Sequence, residues 1–131
     1  MSRLAERLIS RLKDCDAASE VVRALKNHAR SRIAVGGLSG SSRALFAALV
    51  RLETQRPIII VLPDERPAEH RKEDIEFLLS TEVSSEEVVF FPQEDAPPYG
   101  ESGDFSSVSE ARVSALDSMS RRPPGVLCVR A

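Results

Sequence analysis

At 131 residues with 42% hydrophobic side chains, the chain is the size of one domain with a real core and too small for two. The 29% of charged residues, the absence of any apolar run longer than the seven residues 44–50 and the charged opening Met1-Ser2-Arg3-Leu4-Ala5-Glu6 argue against a bilayer span and a signal peptide. Cys15 and Cys128 have no Cys or His at ligand spacing, which argues against a disulfide framework and a metal site and fits a reducing, cytoplasmic location.

The net charge of −2 is unevenly spread: residues 1–56 carry 11 Lys/Arg against 5 Asp/Glu, and residues 57–131 carry 7 against 15. The basic half reads first as a solvated helix face and second as a polyanion-binding surface, for which a steep salt dependence of DNA binding would be the sign. Arg3, Arg7 and Arg11 recur at helical spacing with no aromatics between them, the pattern of a solvated helix face.

In chain order, residues 1–30 form a helical segment. Leu4, Leu8 and Leu12, with Ile9 beside them, predict an amphipathic helix over 2–13. Asp14-Cys15-Asp16 interrupts it, and Asp16 is the expected N-cap of a second helix with Val21, Val22 and Leu25 inward. This pair is expected to cover a sheet or to dock something else.

Residues 31–131 read as a parallel α/β domain. A strand is expected at 32–35, then the Gly/Ser turn Gly36-Gly37-Leu38-Ser39-Gly40-Ser41, then a helix over 42–53 with Leu45, Phe46, Leu49, Val50 and Leu52 inward. Pro57 opens Ile58-Ile59-Ile60-Val61-Leu62, whose unbroken apolar character predicts a parallel strand covered on both faces. Asp64 is the expected cap of a helix over 65–79, with Ala68, Ile75, Leu78 and Leu79 inward and His70 on its charged surface. Val88-Val89-Phe90-Phe91 is the next strand. A loop over 92–104 follows, stiffened by Pro92, Pro97 and Pro98, and its length marks it as functional or in contact with another domain. A helix starting at Ser107 or Ser109, with Val108, Val113, Leu116 and Met119 inward, leads to a fourth strand at 126–129, where Cys128 is a small buried hydrophobe. The β-α-β-α-β-α-β series predicts a three-layer parallel sheet with right-handed crossovers and helices on both faces. Because the chain stops directly after an apolar strand, it is expected to be a domain truncated at its C-terminal end.

The Gly/Ser turn between a strand and a helix is where a phosphate-binding loop sits. A Walker A loop needs Gly, four residues, then Gly-Lys-Ser/Thr. Counted from Gly37, those last three positions hold Ser42, Arg43 and Ala44. The wrapping glycine has gained a side chain, the compact ammonium has become a planar guanidinium, and the magnesium-binding hydroxyl is gone. ATP hydrolysis is not expected. Gly40, Ser41 and Ser42 leave room for a weak anion site on the helix N-terminus. A short-chain dehydrogenase reading, with Asp64 as the ribose acid, fails because Tyr99 is followed at the required spacing by Gly103 rather than Lys. A nucleophile elbow around Ser39 lacks its second glycine, and His70 is the only downstream histidine.

The order and spacing of several motifs resemble the N-terminal, UvrB-like module of the bacterial transcription-repair coupling factors, the Mfd family. These are the degenerate loop from Gly36 to Leu45, Pro57 to Glu65, Phe91-Pro92 with Glu94 and Pro98-Tyr99, Val108-Ser109-Glu110 with Arg112 to Leu116, and Gly125 to Ala131. The family usually carries Trp where this chain has Gln93, and the spacing from Glu94 to Pro98-Tyr99 is one residue longer here. The resemblance implies a P-loop NTPase-like half-domain that has lost its catalysis and acts as an interaction and regulatory scaffold. It implies contacts with UvrA, mainly through the following subdomain, and intramolecular restraint of the motor. RNA polymerase and DNA contacts, with ATP and Mg, would belong to other domains of the parent DNA translocase. The alternative from a different class is a divergent nucleotide- or phosphate-binding enzyme domain.

Overall fold

The computed structural model describes residues 3–28, 30–63, 65–80, 88–93 and 105–130. Among the described residues, five helices, α1 (Arg3–Lys13), α2 (Asp16–Asn27), α3 (Ser42–Thr54), α4 (Glu65–Leu79) and α5 (Phe105–Arg121), accompany three strands, β1 (Ile58–Leu62), β2 (Val88–Phe91) and β3 (Val126–Arg130). The strands form a parallel sheet in the order β1-β3-β2. Ile58 and Val88 both register with Val126, and Ile60 and Phe90 with Cys128. This α/β architecture is the one the alternating pattern predicts, but with one strand fewer. No described helix is long and apolar enough to cross a membrane.

The missing strand is the one expected at 32–35. Residues 31–36 carry no regular structure, and Val35 is 42% exposed. Apolar character alone does not make a strand: residues 32–35 form no ladder with β1, β2 or β3.

The core explains the helix order. Ile58, Ile60, Val88, Phe90, Val126 and Cys128 share one register face and pack with Ile75, Leu78 and Leu79 of α4. Ala5 of α1 and Ala44 and Ala48 of α3 are fully buried in the same cluster. Methyl side chains at these crossings let the helix backbones come close, so α1 packs against α3 and α4. A second cluster joins Ala18 and Val22 of α2 to Leu49 of α3, with Ile9, Leu12, Phe46 and Val50 around it.

Several faces differ from those the sequence predicts. On α1 the buried position is Ala5, with Ile9 and Leu12 half-buried, while Leu4 and Leu8 are exposed; small size at a close crossing outweighs hydrophobicity. Asp16 is not a cap: Cys15 holds the N-cap position without a side-chain bond, and Asp16 lies in the first turn, where its charge suits the helix dipole. On α5 the inward stripe is Val108, Arg112, Ala115 and Met119. Val113 and Leu116 are exposed because Arg112 takes the packing position: its guanidinium lies 4.6 Å from the Phe91 ring centroid and donates to the Pro92 carbonyl at 3.1 Å. The helix also begins at Phe105, ahead of both predicted starts.

Strand β1 is covered on one face only. Ile59 is 66% and Val61 59% exposed, although a run of branched apolar residues predicts burial on both sides. The helix packed on β1 is α4, on the opposite register face. Burial of Ile75, Leu78, Leu79 and Cys128 and exposure of His70 follow the sequence reading. Asp64, the Ala68 side chain and residues 94–104 of the Pro-rich loop lie outside the described residues.

Candidate functional site: the glycine-serine loop before α3

The loop from Gly36 to Ala44 is built by two backbone reversals and one hydroxyl. Gly37 at φ 79° and Gly40 at φ 50° occupy the left-handed region that glycine enters without steric cost. A Cβ at either position would meet no atom within 4 Å, so the constraint is backbone conformation, not space. Between them the Ser42 hydroxyl folds back on Ser39, accepting its N–H at 2.8 Å and donating to its carbonyl at 2.6 Å. The Ser42 N–H also donates to the Ser39 carbonyl at 3.1 Å, and the Arg43 N–H to the Gly40 carbonyl at 3.4 Å.

These bonds bear directly on phosphate chemistry. A phosphate loop works by leaving backbone N–H groups unsatisfied and pointed at the anion. Here the Ser39, Ser42 and Arg43 N–H groups are engaged within the loop. Three residues of the turn have defined places. Ser42 supplies the hydroxyl that occupies the turn. Arg43 donates through Nε to the Leu38 carbonyl at 3.3 Å. Ala44 is fully buried in the main core cluster, a packing position with no side-chain polar group.

Sequence reasoning missed Arg71. It sits on α4, is only 9% exposed, and its Nη1 donates to the Gly40 carbonyl at 2.7 Å. The same guanidinium lies 3.7 Å from the Asp74 carboxylate. Arg71 clamps the second glycine of the loop onto α4, across 31 residues of sequence. Its place in a stretch of alternating charge gives no signal of this, because a buried arginine reads there like its solvated neighbours.

No family model, curated protein or solved structure matches this chain. The functional reading therefore rests on its own residues. Of the positions singled out in the sequence, Gly37, Gly40, Ser42, Arg43 and Ala44 are brought together in one loop. Ser39 is engaged through its backbone with Ser42, and His70 is exposed on α4. Among the described residues no group of three or more His, Cys, Asp or Glu side chains could hold a metal ion. Cys128 is fully buried and its thiol is pushed up to about 11, chiefly by desolvation.

Proposed function

We propose that this chain is a non-catalytic interaction and regulatory scaffold, the N-terminal module of a transcription-repair coupling factor. On this reading its fold is the P-loop, UvrB-like half-domain with helices on both sheet faces. The parent protein recruits UvrA and displaces stalled RNA polymerase, with ATP, Mg and DNA handled by motor domains elsewhere, in the cytoplasm. The observation that supports a silent loop best is the Ser42 hydroxyl bonded to both backbone groups of Ser39, which takes the space and donors an anion would need. The motif order supports the family assignment.

The second reading, a divergent nucleotide- or phosphate-binding enzyme domain, draws on the two positive-φ glycines and the neighbouring cations Arg43 and Arg71. Calorimetric titration with Mg-ATP and with inorganic phosphate separates the two. The scaffold reading expects no saturable heat from either. Micromolar nucleotide binding that is lost on Gly40→Val would establish the second reading. A direct test of the partner assignment is co-purification with UvrA of the full-length parent protein, with and without this module; equal recovery without any change in ATPase restraint would remove the scaffold role.

A further inference from the structure

A cavity of about 240 Å³ opens between α1, α2 and α3, away from the glycine-serine loop. Its apolar wall is Val22 of α2 and Leu49 of α3, which are 7% and 1% exposed. Its rim is ionic: Lys13 from the end of α1, Arg23 and Lys26 from α2, and Glu53 from α3. The two Glu53 oxygens are each taken by one lysine, Lys13 Nζ at 2.5 Å and Lys26 Nζ at 2.7 Å. Hydrogen bonds from both lysines hold the Glu53 carboxyl below its ordinary value, so it is ionised and fully engaged at neutral pH.

The charge count at the rim is three cations against one carboxylate. An ammonium has three N–H donors, and each lysine spends one on Glu53. Lys13, Lys26 and Arg23 line a cavity whose wall is chiefly apolar, their charges at its solvent-exposed rim. An incoming amine would find the one carboxylate already occupied, whereas an incoming carboxylate would find a surplus of donors. The volume lies just below the range of roughly 300–1,000 Å³ typical of drug-sized ligands, so the fitting molecule is small.

We propose that this cavity binds a small organic carboxylate with a short apolar body, the carboxylate on Arg23, Lys13 and Lys26 and the body against Val22 and Leu49. The inference stands apart from the reading of the glycine-serine loop and from the parent protein's identity. Glu53 acts in it as a built-in competitor that preorganises the two lysines and limits affinity.

The test is a methyl-resolved NMR titration of the 131-residue chain with hexanoate, acetate and hexylamine. Hexanoate is expected to shift the Val22 and Leu49 methyl signals saturably, with acetate and hexylamine leaving them in place at the same concentrations. Arg23→Glu is expected to weaken hexanoate binding by up to about fivefold, the scale of one exposed ion pair. Glu53→Gln is expected to tighten it by freeing both lysines. Equal shifts from acetate and hexanoate would reduce the site to a surface charge patch and overturn the proposal. So would methyl shifts that ignore the ligand's charge, or binding that Glu53→Gln weakens in a chain that still melts cooperatively. The selectivity series on the unmodified chain needs no variant to fold.

Discussion

Replacing Ala44 by threonine would return to the loop the hydroxyl that a nucleotide-binding loop uses to hold magnesium. The structure says that this hydroxyl has nowhere useful to go. Ala44 has no exposed surface and packs in one cluster with Ala5, Ala48, Ile75 and Cys128. Two added heavy atoms at a close helix crossing cost about 1–3 kcal/mol through overpacking. The lower helix propensity of threonine adds about half a kcal/mol. Back-bonding to the Gly40 carbonyl four residues earlier offers the hydroxyl little relief, because that carbonyl already accepts from Arg71 and from the Arg43 N–H. The expected loss is therefore about 2–3 kcal/mol, read as a shift in urea midpoint at unchanged m-value, with no gain of Mg-ATP binding. A variant within about 0.5 kcal/mol of wild type would place Ala44 outside the packed core and refute its assignment as a packing position.

Gly40→Ala puts a Cβ into open space at φ 50°, so it should cost about 1–2 kcal/mol from backbone conformation alone, measured by chemical denaturation; a neutral result would contradict the left-handed turn. Glu53 has its carboxyl lowered by Lys13 and Lys26, so its contribution is present above the unfolded carboxylate value and is lost as pH falls through the lower folded one. Acid titration of stability should show this loss below about pH 4.5, and Glu53→Gln should flatten it. Lys13 has its ammonium raised by the same partner, so its share is present up to its ordinary value and fades only as pH rises through the higher folded one. Thiol titration at pH 8 should find one accessible group, Cys15, in the native chain and two after denaturation, because Cys128 is buried and its thiol is pushed up to about 11. Two fast thiols in the native state would contradict the buried position of β3.

Where the sequence was readable, the reason was local chemistry. Residues 58–62, 88–91 and 126–129 are apolar runs bounded by proline, glycine or charge, and all three are strands. The helices over 3–13, 16–27, 42–54 and 65–79 follow their periodicities within a residue or two at each end. Misreadings arose where packing geometry overrode residue type. Residues 32–35 look like a strand but join no ladder of the described sheet. Ala5 displaced Leu4 and Leu8 because a close crossing rewards small size. Arg112 took an inward position by stacking on Phe91, turning Val113 and Leu116 outward. The loop was legible as a tight Gly/Ser turn leading into a helix, since Gly37, Gly40 and Ser42 lie within six residues at the entry to α3. Its closure was not: the Ser42-to-Ser39 bonds are a matter of rotamer, and the Arg71 clamp joins positions 31 residues apart. The ionic bridge of Lys13 and Lys26 on Glu53 was hidden for the same reason, because three helices must assemble before the charges meet.

The central claim of the proposed function is that the glycine-serine loop, whose Ser39, Ser42 and Arg43 N–H groups are engaged within the loop, binds no nucleotide. Isothermal titration of the chain with Mg-ATP, with Ser42→Gly beside wild type, tests it most directly. The account predicts no saturable heat from the wild-type loop. A micromolar, stoichiometric isotherm from wild type that Gly40→Val abolishes would contradict it.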